Sequence, residues 1–186
     1  MQPTKEGKIS VSVMCSDLMN LERDIKQLER NGVDYLHVDV MDAHFVPNLT
    51  FGVDFIAAMH RVTKLPLDIH LMVEHPLPIM EAMDIRPGDR ISLHVELGEQ
   101  LHELAKAVRA RGAQFGLVVN PSTPVEALTP YLDEIEWVIL MLVQPGFAGA
   151  KLIDGILDKV AAARRFLDEH GHPETEISVD GSVSCE

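Results

Sequence analysis

The chain has 186 residues, of which 46% are hydrophobic, enough for one domain with a substantial core but too few for two ordinary domains. Its formal net charge of -13 argues against nucleic acid and anionic membranes, because both attract basic patches. Two cysteines, Cys15 and Cys185, without a CxxC spacing argue against a disulfide framework or a cysteine zinc site. With no apolar leader and no membrane-length apolar run, we expect a cytoplasmic protein.

Short apolar runs alternate with amphipathic stretches along the chain. The apolar runs predict strands at Ile9–Met14, Tyr35–Val40, Leu67–Met72, Ile91–Val95, Phe115–Val119, Trp137–Val143 and Ile177–Val179. The stretches between them predict helices at Leu18–Arg30, Val53–Arg61, Pro78–Met83, Glu99–Arg111, Pro124–Leu132 and Ile153–His170. This alternation is typical of a parallel sheet with right-handed crossovers, and the spacing favours a β/α barrel over an open sheet.

A β/α barrel has eight strands, whereas this sequence stops at Glu186, just after the seventh predicted strand. We therefore expect one α/β domain over residues 1–186, a (β/α)8 TIM barrel from which the eighth βα unit is absent. We also expect the chain to be a truncated or incompletely represented form of a longer protein. Such a form would expose two unpaired strand edges and bind metal better than phosphate.

The polar residues at the strand ends predict a metal site. Side chains at the carboxyl ends of barrel strands face the active site. His37 and Asp39 lie on one face of the second predicted strand, His70 lies near the end of the third, and Asp180 follows the seventh. A single histidine there is more often structural, but four candidate ligands on three strands indicate one divalent ion. Zn, Fe, Mn and Co all accept these ligands, so the metal stays open.

Six stretches of the sequence resemble the ribulose-phosphate 3-epimerase family and occur in the family's order. They are Lys8–Met14, His37–Thr50, Leu67–Val73, Gly116–Pro121, Pro145–Gly149 and Val179–Gly181. The resemblance implies a TIM barrel of the ribulose-phosphate-binding type and a metal-dependent isomerase of the pentose phosphate pathway. The implied reaction is epimerisation at C3 of a ketose phosphate, from D-ribulose 5-phosphate to D-xylulose 5-phosphate, by two-base proton transfer through an enediolate. Allulose-6-phosphate 3-epimerase belongs to the same family, and the motif Pro145–Gly149 is somewhat more similar to that branch, so the sugar stays open.

The resemblance also implies roles for individual residues. His37, Asp39, His70 and Asp180 match the family's metal ligands, and Asp39 and Asp180 also match its catalytic acid/base pair. The positions that match substrate-binding residues are Ser12, His37, Met41, His70, Met72, Met141, Gly146, Phe147, Ala148, Gly149, Gly181 and Ser182. Ala148 and Ser182 stand where the family commonly has glycine.

The sequence also allows alternative functions, which its residues favour to different degrees. Phosphate-binding barrels related to orotidine-phosphate decarboxylase carry a lysine two residues after the aspartate at a strand end. Met41 stands at that position here, so decarboxylation is not expected. An inactive sugar-phosphate-binding barrel stays open. Asp42 could support a ligand histidine or cap a turn, and His94 is left out of the site. We expect a small sugar phosphate as partner, no nucleic acid, no membrane and a homo-oligomer, although the sequence does not determine the oligomeric state.

Overall fold

The computed structural model describes residues 7–183, which leaves Cys185 outside the described residues. Within this range seven parallel strands form one sheet in chain order. The strands are β1 (Ser10–Ser12), β2 (Tyr35–Met41), β3 (Leu67–Met72), β4 (Arg90–His94), β5 (Gln114–Val119), β6 (Trp137–Met141) and β7 (Glu176–Asp180). The helices are α1 (Leu21–Arg30), α2 (Val53–Val62), α3 (Pro76–Ala82), α4 (Leu101–Arg109) and α5 (Leu157–Glu169).

The sheet curls, and one contact across it shows how far. In a flat sheet β2 and β7 would lie roughly 24 Å apart, because neighbouring strands are separated by about 4.8 Å. His37 Nε2 on β2 instead lies 3.7 Å from Asp180 Oδ2 on β7. The strands therefore wrap around a common axis, which confirms the predicted barrel class, and within residues 7–183 no eighth strand joins β7 to β1.

The start of the chain departs from the predicted elements. β1 ends at Ser12 and passes into a 3-10 turn at Val13–Cys15. The first helix begins at Leu21 rather than Leu18, because the Asp17 carboxylate accepts hydrogen bonds from the Met19 amide and the Asn20 side chain. These bonds hold the preceding residues in a turn, an arrangement that aspartate favours outside helices.

Two later helices also differ from prediction. The segment predicted as a helix over Pro124–Leu132 is a 3-10 helix at Val125–Glu134 with Pro130 inside it. Proline cannot donate the backbone hydrogen bond of a regular α-helix, so the segment takes a tighter form. The last helix begins at Leu157 rather than Ile153, after a turn that contains Gly155 at φ 75°.

The core occupies both faces of the sheet. Leu36 and Ile91 are fully buried on the face that the helices cover, and Val118 and Trp137 are fully buried on the inner face. Gly116 lets β5 approach the buried Trp137, since a Cβ at Gly116 would lie 2.3 Å from the indole nitrogen. No helix within the described part of the chain is both long and apolar enough to cross a membrane.

A buried arginine closes the amino-terminal end of the barrel, opposite the strand ends that hold the predicted site. Arg90 is 4% exposed and donates to both carboxylate oxygens of Glu176, at 2.8 and 2.9 Å. Its guanidinium also lies over the rings of Tyr35 and Trp137, 4.4 and 4.7 Å from their centroids. One side chain thus connects β2, β4, β6 and β7.

Substitution of Glu176 by glutamine should destabilise the fold by about 3 kcal/mol at neutral pH, because it leaves the Arg90 charge buried without its counter-ion. Burial by itself would raise the pKa of Glu176, but Arg90 and Lys8 outweigh it and lower that pKa to about 2. The carboxylate therefore stabilises the fold above its unfolded pKa of about 4.3, and this contribution is lost as the pH falls towards 2. Urea unfolding of both proteins should show a constant difference above pH 6 and a shrinking one below pH 4.5; a pH-independent difference would contradict the ion pair.

Candidate metal and active site

The four predicted ligands meet at the carboxyl ends of β2, β3 and β7. Asp39 lies beside His70 in the register of β2 and β3, and His37 precedes Asp39 by two residues, so both β2 side chains point inward. Asp180 is the last residue of β7. His37, Asp39 and His70 are buried, and Asp180 is partly exposed.

The distances within this group suit a small cation. Asp39 Oδ1 lies 3.2 Å from His37 Nε2 and 3.3 Å from His70 Nδ1, and Asp180 Oδ2 lies 3.7 and 3.6 Å from the same two nitrogens. Four ligands at 2.0–2.2 Å from one tetrahedral ion would be separated by about 3.3–3.6 Å. His70 Nδ1 is buried and makes no hydrogen bond within the described residues. Two neutral imidazoles and two carboxylates also balance a divalent charge, so this group could hold a metal ion.

The electrostatics of the group follow from close packing of opposite charges. Burial favours neutral imidazoles, but the carboxylates of Asp68 and Asp39 outweigh it at His37, and those of Asp180 and Asp39 do so at His70, so the pKa of each histidine is raised. Burial would likewise raise the pKa of Asp39 and Asp180, yet the two histidines lower both.

Asp68 contacts the His37 ring on the side away from Asp39. It was not assigned to the site from the sequence. Its Oδ2 accepts a hydrogen bond from His37 Nδ1 at 3.0 Å and from the Ser10 hydroxyl at 2.7 Å. A proton fixed on Nδ1 leaves Nε2 free to bind a metal, which is the usual arrangement of a carboxylate behind a ligand histidine. Asp68 precedes His70 by two residues on the same face of β3, and this spacing was the available signal.

His94 is a second residue that belongs to the site although the sequence analysis left it out. It is fully buried, its Nε2 lies 2.9 Å from His70 Nε2, and the two rings stack with centroids 5.0 Å apart. Burial lowers the pKa of His94 to about 4, so its ring is neutral at neutral pH.

Asp42, by contrast, caps the loop after β2, where it accepts from the amides of His44, Phe45 and Glu74.

A cavity of about 520 Å³ opens above the group, with Asp39 and Asp180 in its wall. Ser12 also lines it and donates a hydrogen bond to Asp39 Oδ2 at 3.0 Å. The predicted methionines Met41, Met72 and Met141 line the same cavity and are each at most 3% exposed. The structure thus brings together the strand-one serine, both carboxylates and the three methionines.

The glycine-rich loop after β6 forms the far side of the cavity. Gly146, Phe147, Ala148 and Gly149 line it together with Gly181 and Ser182. The Asn48 amide donates to the Gly146 carbonyl at 2.7 Å and so ties this loop to the one after β2. Ser182 has φ 51°, a conformation that favours glycine.

The catalytic and binding roles of individual residues stay predictions. Comparisons with known proteins identify the family of the chain. The model of the ribulose-phosphate 3 epimerase family matches residues 8–186. The chain is 40% identical to the ribulose-phosphate 3-epimerase of Bacillus subtilis over 179 residues, which cover 96% of this chain and 82% of the relative. It is 39% identical to that of Treponema pallidum over 177 residues, or 95% of this chain and 81% of the relative.

A solved structure supports the fold alone. The 3-dehydroquinate dehydratase of Geobacillus kaustophilus superposes with a TM-score of 0.55 at 11% identity, covering 98% of this chain and 85% of that one. The sequence comparisons identify the family, because both relatives exceed 30% identity over most of their own length. The chain belongs to the ribulose-phosphate 3-epimerase family.

Proposed function

We propose that this chain is a metal-dependent isomerase that epimerises carbon 3 of a ketose phosphate and converts D-ribulose 5-phosphate into D-xylulose 5-phosphate. The observation that supports this most strongly is that Asp39 and Asp180, which both line one cavity, converge on the same two histidines. Family membership supplies the reaction class. A place in the pentose phosphate pathway follows from that substrate and product.

His37, Asp39, His70 and Asp180 would hold the metal ion, which we propose to be Zn, Fe, Mn or Co because these accept mixed imidazole and carboxylate ligands. Such an ion supplies Lewis-acid stabilisation of negative charge that develops on substrate oxygens. Asp68 and His94 contact the two ligand histidines from behind. They would keep each ring turned towards the ion.

The two carboxylates would move the proton at C3. One of them removes the proton from C3, and the electron pair left behind moves into the adjacent C2 carbonyl to give an enediolate. The other, in its protonated form, returns a proton to the opposite face of C3, so the net change is inversion at one carbon. Asp39 and Asp180 come from β2 and β7, which lets them approach the sugar from different sides.

The remaining predicted residues would bind the rest of the substrate. The cavity lining contains no lysine or arginine among the described residues, so a phosphate there would rely on backbone amides, which bind anions well in glycine-rich loops. We assign this role to Gly146, Phe147, Ala148, Gly149, Gly181 and Ser182. Met41, Met72 and Met141 would supply an apolar, polarisable wall beside the reacting carbon.

A parallel assay on ribulose 5-phosphate and allulose 6-phosphate tests the proposed substrate. The protein is loaded with each candidate metal in turn, and bound metal is measured by elemental analysis. We expect the higher kcat/KM for ribulose 5-phosphate. A higher value for allulose 6-phosphate would reassign the substrate, and bound metal without turnover of either sugar would favour an inactive binding barrel.

Two further expectations accompany the proposed function. We propose a homo-oligomer, which light scattering of the purified chain tests directly. A cytoplasmic location likewise stays a prediction.

A further inference from the structure

Behind the candidate metal group lies a row of polar side chains that begins at one of the proposed ligands and takes no part in the proton transfer at C3. It runs from His70 through His94 to Glu96 and ends at Thr123, whose hydroxyl donates to Glu96 Oε1. His70 and His94 are 0% exposed. This row, called here the His94 relay, lies on the side of His70 away from the carboxylates.

The first contact of the relay allows only two arrangements of protons. His70 Nε2 and His94 Nε2 are 2.9 Å apart, a hydrogen-bond distance between two nitrogens. Only one of them can carry the hydrogen between them, so the other must be a bare acceptor. Either His70 donates to His94 or His94 donates to His70.

Glu96 distinguishes these two arrangements. Its Oε2 faces His94 Nδ1 at 3.4 Å, with the Glu96 side chain 28% exposed. This is longer than an ordinary hydrogen bond, but a carboxylate this close to a fully buried ring still favours a proton on the nitrogen that faces it. If neutral His94 donated from Nε2, its Nδ1 lone pair would point at a carboxylate. A proton on His94 Nδ1 removes this repulsion and leaves Nε2 as the acceptor.

We propose that His94 and Glu96 are positioning residues that keep the proton of His70 on Nε2 and thereby leave His70 Nδ1 as the metal-binding nitrogen. His70 Nδ1 is the atom that faces Asp39 and Asp180, at 3.3 and 3.6 Å. The inference rests on the proposed metal-dependent function and adds to it the tautomer of one ligand and the two residues that select it.

The relay differs from the support of the other ligand histidine. His37 donates directly to the Asp68 carboxylate, whereas in the proposed arrangement His70 donates to a second ring, whose other nitrogen faces a carboxylate. Loss of His94 would therefore leave a buried N–H of His70 without an acceptor, which costs more than the loss of both partners together. Loss of a partner behind a ligand typically lowers metal affinity by 10–100-fold.

Nuclear magnetic resonance of the zinc-loaded protein tests the proposed tautomers directly. Long-range proton–nitrogen correlations distinguish protonated from bare ring nitrogens without reference to activity. We expect a proton on Nε2 of His70 and on Nδ1 of His94. A proton on His94 Nε2 with bound zinc would overturn the inference, while failure of the native chain to bind zinc at all would instead contradict the proposed function.

Variants extend the test to affinity. His94→Leu removes the acceptor and should lower zinc affinity by about 10–100-fold, while His94→Gln, whose amide can both accept and donate, should restore most of it. His102→Leu is the matched control, because His102 also pairs with a glutamate but lies on the surface. Unchanged affinity in His94→Leu, or equal losses in the leucine and glutamine variants, would refute a positioning role.

Discussion

Replacement of Asp39 or Asp180 by asparagine should lower the turnover number by about two to four orders of magnitude, the usual contribution of a positioned acid or base. Asparagine keeps the size of the side chain and an oxygen ligand but cannot exchange a proton at neutral pH. The same loss should occur for both directions of epimerisation. Either variant alone should block turnover if, as proposed, each reaction uses one carboxylate as base and the other as acid.

Metal occupancy must be separated from proton transfer in this experiment. Each variant is assayed at saturating metal, with bound metal measured on the same sample. Asp133→Asn serves as the control, since that side chain is 98% exposed. Near-normal turnover in Asp180→Asn with full occupancy would mean that another group removes the proton.

Replacement of His70 by alanine should lower metal affinity by more than about 100-fold, since even partners behind a ligand contribute 10–100-fold. The change removes one of the four proposed ligands and leaves the Asp39 and Asp180 carboxylates without the His70 imidazole beside them. Competition with a chelating dye measures the affinity of the purified variant. The exposed His75 provides the control substitution, and circular dichroism checks that His70→Ala remains folded.

Unchanged metal affinity in His70→Ala would refute the assignment of His70 as a ligand. A variant that fails to fold would not decide the question, so His37→Ala provides a second test. His37 is less deeply placed than His70, at 5% exposure against 0%. Both variants should lose affinity if the four side chains act as one site.

The ligand group could be predicted from sequence because its geometry is local to the strands. Side chains two residues apart on a strand share one face, which places His37 and Asp39 together without knowledge of the fold. The rule that barrel strands present their carboxyl ends to the active site then added His70 and Asp180. The curl of the sheet, which brings β7 to β2, was part of the predicted barrel, and the structure added the distances between the ligand atoms.

The supporting residues were harder to predict. Asp68 lies two residues before His70, near the start of β3. A search limited to the strand ends therefore does not find it. His94 ends β4, so the rule about the carboxyl ends of barrel strands also applied to it. Its partner, however, is His70 on the neighbouring strand β3. Which nitrogen faces which depends on ring rotation, and no sequence pattern encodes that.

The irregular segments diverged from prediction for local reasons. Asp17 hydrogen-bonds the residues that the hydrophobic pattern assigned to the first helix. Pro130 turns a predicted helix into a 3-10 segment. In both places side-chain and backbone hydrogen bonding outweighed hydrophobic periodicity.

Hydrogen exchange at C3 in deuterated water tests the two-carboxylate reaction most directly. The metal-loaded Asp39→Asn and Asp180→Asn variants are incubated with ribulose 5-phosphate and, separately, with xylulose 5-phosphate, and deuterium at C3 is followed by nuclear magnetic resonance. If the two carboxylates serve opposite faces, one variant should exchange the C3 hydrogen of only one epimer, the other variant that of only the other epimer, and neither should interconvert them at the native rate. Exchange of both epimers by a single variant, or epimerisation by the native protein without deuterium at C3, would contradict this assignment.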